Sequence, residues 1–317
     1  MSRKSATDDR PVTVTTYEFP HKPEKTTLAK FIYNGEKGQV FGRTPTNWAQ
    51  LLLFYTIFYT VLAALFAICL QGLFATLNTE YPKWQLDSSI IGTNPGLGFR
   101  PLPERIEDGS LIWYNSSNKT QTNVIVGLLN EFLAPYRSGG GQNQVICDFN
   151  RPPGENNVCA ENVAEWHECT EEHGFGYNKS APCIFLKLNR IYGWIPEYYD
   201  DVNNLPAEMP EELVNHIKQL PANERKQIWV SCSGEYEADT EKIGPIKYMP
   251  RRGFPSYFYP YKNSPGYLSP LIAVKLERPT IKEAISVECR AWAKNIIYRG
   301  GRRDRQGSIQ FSLMIDV

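Results

Sequence analysis

The chain has 317 residues, with 34 Lys and Arg balanced by 34 Asp and Glu, and is 42% hydrophobic and 21% charged. Zero net charge leaves composition with no electrostatic argument for nucleic acid as a partner or for a strongly basic surface. What remains is the composition of an ordinary globular domain attached to one apolar segment, with no internal repeat.

The first thirty residues, rich in Thr, Ser, Lys and Pro, read as a disordered stretch within a tail spanning residues 1–47. From Thr44 to Thr79 there is no Asp, Glu, Lys, Arg or His, and the apolar core of that stretch runs from Trp48 to Leu77. Thirty residues at ~1.5 Å each give a helix of ~45 Å, longer than the ~30 Å hydrocarbon core, so residues 48–77 are expected to span a bilayer with tilt. A cleaved signal peptide would carry a shorter apolar run close to residue 1, so the segment reads as a signal anchor. Lys25, Lys30, Lys37 and Arg43 precede it and only Lys83 follows closely. By the positive-inside bias the N-terminus is cytoplasmic and residues 78–317 lie outside, a single-pass type II arrangement.

Two features of the span exceed what an anchor needs. Tyr59 falls eleven residues after Trp48, ~16 Å along the axis and far from the interfacial belt where Tyr normally sits. Tyr55, Tyr59, Leu62 and Phe66 share one face, while Ala63, Ala67, Gln71 and Ala75 form a small-residue stripe on another.

Beyond the span, all three Asn-x-Ser/Thr sequons (Asn115, Asn118, Asn178) and six of the seven cysteines agree with an exoplasmic location. Asn123 to Pro135 has helical apolar spacing, with Thr122 or Asn123 as cap and Pro135 as stop. Farther on the period becomes two. Ile228, Val230 and Cys232 alternate with Trp229, Ser231 and Ser233, and Ile272, Val274 and Leu276 with Ala273 and Lys275. Ile285, Val287, Cys289 and Ala291, then Ile309, Phe311, Leu313 and Ile315, complete a set of half-buried antiparallel strands. Cys232 and Cys289 both lie on apolar strand faces, which suits a bridge tying two sheets of an immunoglobulin-like sandwich. Cys147, Cys159, Cys169 and Cys183 fall in a Gly-, Pro- and Asn-rich insertion that local pairs would staple. The spacing by itself leaves the pairing open.

Catalytic chemistry is not visible. No Gly-x-Ser-x-Gly, Walker loop or His-Glu-x-x-His is present, and no cofactor motif. His167, Cys169 and His173 have ligand-like spacing, but an exoplasmic thiol oxidises and a fourth ligand is wanting. Asp200 and Asp201 read as a solvated turn, since the Asp-x-Asp of Golgi glycosyltransferases is missing from the ectodomain. The run Arg299 to Arg305 reads as a charged hairpin loop. Tyr257, Phe258, Tyr259 and Tyr261 read as packed edge-strand aromatics, with a partner or glycan surface as the alternative.

Phe31 through Asn34, then Phe41-Gly42-Arg43-Thr44 and Trp48, resemble the N-terminal signature of the β subunits of the Na⁺/K⁺ and H⁺/K⁺ transporting ATPases. The likeness continues through Phe54-Tyr55 and Phe58-Tyr59 in the span. In the ectodomain it covers Gly176-Tyr177, Pro182-Cys183-Ile184, Lys187-Leu188-Asn189-Arg190, Tyr257 to Tyr261, Tyr267-Leu268 with Pro270-Leu271, and Glu288-Cys289-Arg290-Ala291. It spans about residues 31 to 317. One motif departs: Thr170-Glu171 follow Cys169 where the family carries Ser or Ala and then Gly. The resemblance implies sequential disulfides, Cys147–Cys159, Cys169–Cys183 and Cys232–Cys289. It also implies a non-catalytic subunit of a plasma-membrane cation pump, whose partner α subunit hydrolyses ATP and carries the ions. This chain would help the α subunit fold and reach the surface and would tune its K⁺ affinity, with Phe54, Tyr55, Phe58 and Tyr59 as its contacts in the membrane. Three sequons favour the sodium pump over the heavily glycosylated gastric one. Membrane lipids complete the expected partners, and a small single-span regulatory subunit is left open. The competing classes are a type II adhesion or lectin-like glycoprotein and a type II Golgi enzyme.

Overall fold

A computed structural model describes residues 27–317 apart from residues 36, 104, 106, 108, 138–140, 142, 162–165 and 302–303. Lys25 and most of the expected tail therefore lie outside the described residues, as does the middle of the Arg299 to Arg305 run. The chain divides into two units, one ending at Thr76 and one comprising Leu77–Val317.

The first unit contains a short helix α1 (Leu28–Ile32), paired strands β1 (Tyr33–Asn34) and β2 (Gln39–Val40), and the long helix α2 (Pro45–Ala75). α2 starts three residues earlier than the apolar pattern indicates, because Thr44 caps it by accepting a hydrogen bond from Asn47 N at 3.4 Å and Pro45 occupies the first turn. It ends where Thr76 donates from its backbone N–H and its hydroxyl to Leu73 O. No residue of α2 is buried, and it is the one helix among the described residues long and apolar enough to cross a membrane. Inside it the Thr60 hydroxyl donates to Thr56 O at 2.7 Å, so this polar group needs no partner outside the helix.

The second unit is built from β3 (Leu97–Arg100), β4 (Leu111–Asn115), α3 (Lys119–Arg137), β5 (Gln144–Val145), β6 (Val158–Cys159), β7 (Cys183–Leu188), α4 (Glu211–Gln219), β8 (Gln227–Gly234), α5 (Glu237–Ile243), β9 (Ile246–Met249), β10 (Gly253–Pro255), β11 (Leu271–Leu276), β12 (Ala284–Trp292) and β13 (Ser308–Asp316). One sheet has the order β10-β8-β12-β13-β4 and the other β3-β7-β11-β9. Every pairing in them is antiparallel except β13 with β4. Apolar residues of both sheets share one buried core, in which the rings of Phe99 (β3) and Phe311 (β13) approach to 5.1 Å between centroids. Burying a side chain of that size stabilises the fold by roughly 1.5–3 kcal/mol.

α3 is longer than its apolar spacing indicates. Asn118 caps it, with its side-chain oxygen accepting from the backbone N–H of Thr120 and Gln121. Pro135 lies inside the last turn instead of ending it. That turn is held by Tyr136, which is buried and donates from its hydroxyl to Ser269 O at 2.9 Å.

Alternation describes β12 and β13 well, but β8 is buried on both faces. Its second face carries Trp229, which joins Met209, Leu213, Ile217 and Trp292 in a smaller core beneath α4. β11 is likewise buried almost throughout.

The expected inter-sheet bridge is corrected. Cys232 and Cys289 are directly opposed residues of the neighbouring strands β8 and β12, so their disulfide lies within one sheet. Alternation places a cysteine on a face without saying which strand faces it. The immunoglobulin hallmark of a disulfide spanning the sandwich is therefore missing, and what stands is a mainly-β, two-sheet domain. Two further disulfides join Cys147 to Cys159 and Cys169 to Cys183.

Candidate membrane interface and supporting clusters

On α2 the spacing of four aromatic residues makes a block of rings. Phe54 and Phe58, four residues apart, stack at 6.1 Å with 17° between planes, and Tyr55 and Tyr59 do the same at 5.9 Å and 22°. Edge contacts close the block, Phe54 to Tyr55 at 5.4 Å and Phe58 to Tyr59 at 5.3 Å. All four side chains are 46–61% exposed. Neither tyrosine hydroxyl finds a hydrogen-bond partner among the described residues. Such a surface offers flat aromatic area and two hydrogen-bonding groups to a neighbouring helix.

In the ectodomain the motif residues build polar clusters that pattern reading did not anticipate. Arg305 is 14% exposed and sits between Glu235 (12%) and Glu288 (18%), donating to both carboxylates. Ser308 donates to Glu288 at 2.7 Å, and Gln310 donates to Glu235 while accepting from Arg305. Beside them the Arg290 guanidinium lies 3.6 Å from the Trp292 ring centroid and 3.7 Å from that of Tyr298. These residues come from β8, β12 and β13 or the turns next to them, and only the register brings them together.

A second cationic stack uses Arg190, placed between the rings of Tyr261 and Tyr267 at 5.3 and 5.2 Å. It also donates to Ser269 Oγ at 2.9 Å and to Tyr267 O. Burial pushes the Tyr267 phenol up to about 12, with Arg190 opposing. The phenols of Tyr114, Tyr177 and Tyr259 are raised by burial as well. The Tyr177 hydroxyl, neutral there, donates to Cys183 O at 3.3 Å.

Of the aromatic run, Phe258 is buried and Tyr259 packs on the core, while Tyr257 accepts from Arg251 and meets Phe149 edge-on. Gly176 takes φ +77°, and a Cβ there would stand 2.0 Å from Ala181 O, so the turn admits no side chain.

Asn115 ends β4, Asn118 caps α3, and Asn178 is exposed in a helical turn at Glu171–Lys179. The amide oxygen of Asn115 accepts from the N–H of Ser117 and of Asn118.

Cys169 is consumed by its disulfide, and His173 Nδ1 lies 3.0 Å from Thr170 Oγ1. No cluster of three or more His, Cys, Asp and Glu is placed to hold a metal among the described residues. Asp201 accepts from Asn203 N at 2.9 Å, an Asx turn.

These features define a class: among the described residues, one helix long and apolar enough to cross a membrane, a disulfide-bridged, mainly-β domain and no assembled catalytic group. The chain belongs to the sodium/potassium ATPase β chain family, whose model matches residues 20–311. It is 50% identical over 307 residues to sodium/potassium-transporting ATPase subunit beta-2 of Drosophila melanogaster, covering 94% of each chain. Against subunit beta-1 of the same organism it is 47% identical over 300 residues, covering 95% of this chain and 96% of the relative. It is 28% identical over 306 residues to human subunit beta-2, with 90% and 93% covered.

Proposed function

We propose that this chain is the non-catalytic β subunit of a sodium/potassium pump, assembling with a catalytic α subunit that it helps to fold and to deliver to the plasma membrane, and whose K⁺ affinity it tunes. In this reading the N-terminus through residue 47 is cytoplasmic, residues 48–77 anchor the chain, and residues 78–317 form the extracellular domain. That domain is an immunoglobulin-like sandwich in the broad sense of two packed sheets, with N-glycans on Asn115, Asn118 and Asn178. Membrane lipids are the other expected partner.

The observation that carries the reading is the block of Phe54, Tyr55, Phe58 and Tyr59. Four ordered rings and two unpaired hydroxyls at membrane depth are poorly matched to lipid and well matched to another helix. Extraction in mild detergent and affinity capture of this chain tests it. A P-type ATPase α subunit is expected to co-purify, and capture of the chain without one would overturn the proposal. Tyr55→Ala with Tyr59→Ala should insert normally yet recover less α subunit, by an amount on the order of 1 kcal/mol per lost interhelical contact. Phe at both positions separates ring packing from the hydroxyls.

A further inference from the structure

Residues 28–43 fold into a small aromatic module directly ahead of α2. α1 brings Leu28, Phe31 and Ile32 to one face at i, i+3 and i+4. The β1–β2 pair returns the chain with Tyr33 opposite Val40. Gly38 and Gly42 take left-handed φ of +57° and +74° at its turns. Phe31 meets Phe41 edge-on at 6.2 Å, and Phe41 N donates to Ile32 O.

The module is fastened to the helix. Trp48, in the first turn of α2, donates from Nε1 to Val40 O at 2.9 Å, and Arg43 lies 5.7 Å over the Trp48 ring. Despite this order its apolar groups are not covered: Leu28 is 80% exposed, Tyr33 65%, and Phe31, Ile32 and Phe41 about half. The same stretch carries Lys30, Lys37 and Arg43 against Glu36 alone. Because Trp48 ties Val40 to the start of the apolar helix, these groups sit at the depth of the headgroups whenever α2 spans. Aromatic rings, aliphatic side chains and excess cations at that depth are the chemistry of an anionic bilayer interface.

We infer that residues 28–43 are an interfacial anchor for anionic lipid. Leu28, Phe31, Ile32, Tyr33 and Phe41 sit at the boundary of headgroups and acyl chains, and Lys37 and Arg43 meet lipid phosphate and carboxylate. The inference rests on α2 spanning the bilayer, and not on which end is cytoplasmic or on the α subunit. Its consequence is that the depth of α2 is set from one end, through the Trp48 to Val40 bond.

The full-length chain carrying Cys69→Ala leaves only bridged cysteines, so a single thiol can be labelled with an environment-sensitive fluorophore at Phe41→Cys or, in a second variant, Tyr33→Cys. Each is reconstituted in phosphatidylcholine vesicles with or without about 30% phosphatidylserine in both leaflets. The expected result is blue-shifted emission, quenching by a lipid nitroxide at shallow depth, and protection from aqueous iodide that increases with phosphatidylserine. Lys37→Ser with Arg43→Ser should lose that increase. A label at Leu62→Cys, quenched by a deep nitroxide, reports insertion of α2 separately; a span that fails to insert overturns both readings. Labels open to iodide in both lipid mixtures while Leu62→Cys is inserted overturn the anchor alone. So does protection that arises only after assembly with the α subunit, which would make the module a protein contact.

Discussion

Cys232 and Cys289 face each other across the β8–β12 ladder with their Cα atoms 4.0 Å apart, so their bridge duplicates a register that backbone hydrogen bonds already hold. Its effect is therefore exerted mainly on the unfolded chain, where it closes a loop with a sequence separation of 57. The chain-entropy model puts that at about 4 kcal/mol. Replacing both residues with Ala should lower denaturation stability by that order while β8 and β12 keep their slow amide exchange. Loss of exchange protection in these strands under native conditions would show that the bridge, and not the ladder, sets the register.

Arg305 is held between two carboxylates that are themselves little exposed. Arg305→Ala leaves Glu235 and Glu288 close together and uncompensated, which should cost roughly 3–5 kcal/mol, as breaking buried pairs does. Adding Glu235→Gln and Glu288→Gln to that variant should restore part of the loss, because neutral amides need no counterion. A triple variant no more stable than Arg305→Ala would mean that hydrogen-bond geometry, and not charge, holds the cluster.

His216 lies on α4 edge-on to Trp229, with ring centroids 6.1 Å apart. Burial first, and the Arg252 charge second, hold its imidazole below the usual value. The fold thus favours the neutral ring. The stability it contributes is full above about pH 6.5, the unfolded value, and is lost as pH falls through the folded one. Thermal midpoints taken downward from pH 7.5 should fall less steeply in His216→Gln than in the parent. Parallel slopes would remove His216 as the source.

Asn118 has two roles, as the cap of α3 and as a sequon. Asn118→Ala should remove any glycan there and also cost about 1 kcal/mol of helix stability. Thr120→Ala abolishes the sequon but leaves the Thr120 N–H and the cap. Equal stability of the two variants after enzymatic deglycosylation would show that the cap is energetically silent.

What could be read from sequence followed from how much of each element meets solvent. α2 was legible because an uncharged run of that length has few soluble explanations; its first residue moved to Pro45 because Thr44 and Pro45 supply a cap outside the apolar pattern, and its last to Ala75 because Thr76 closes the final turn. β12 and β13 were legible because each buries one face, so Val287, Phe311 and Leu313 alternate with polar residues. β8 was not half-buried as expected, since Trp229 is covered by α4, and a period-two pattern within the strand does not show that the helix preceding it folds back onto its second face. The same blindness to neighbours hid the sheet-internal position of the Cys232–Cys289 bridge. It also hid the meeting of Glu235, Glu288 and Arg305, each of which reads singly as an exposed charge.

β4 and β13 are parallel neighbours, so residues 111–115 have no partner on that side until residues 308–316 arrive. At translation rates of ~5–20 residues per second, the roughly 200 residues between them take about 10–40 s to synthesise. For that interval β4 is an open strand edge on a nascent chain, and Asn115, whose neighbour Ser116 later donates its backbone N–H to Asp316 O, is free of the sheet. On the proposal that Asn115 and Asn118 carry glycans, sugar transfer to them comes before sheet closure, and a chaperone that shields strand edges would have a defined time in which to act.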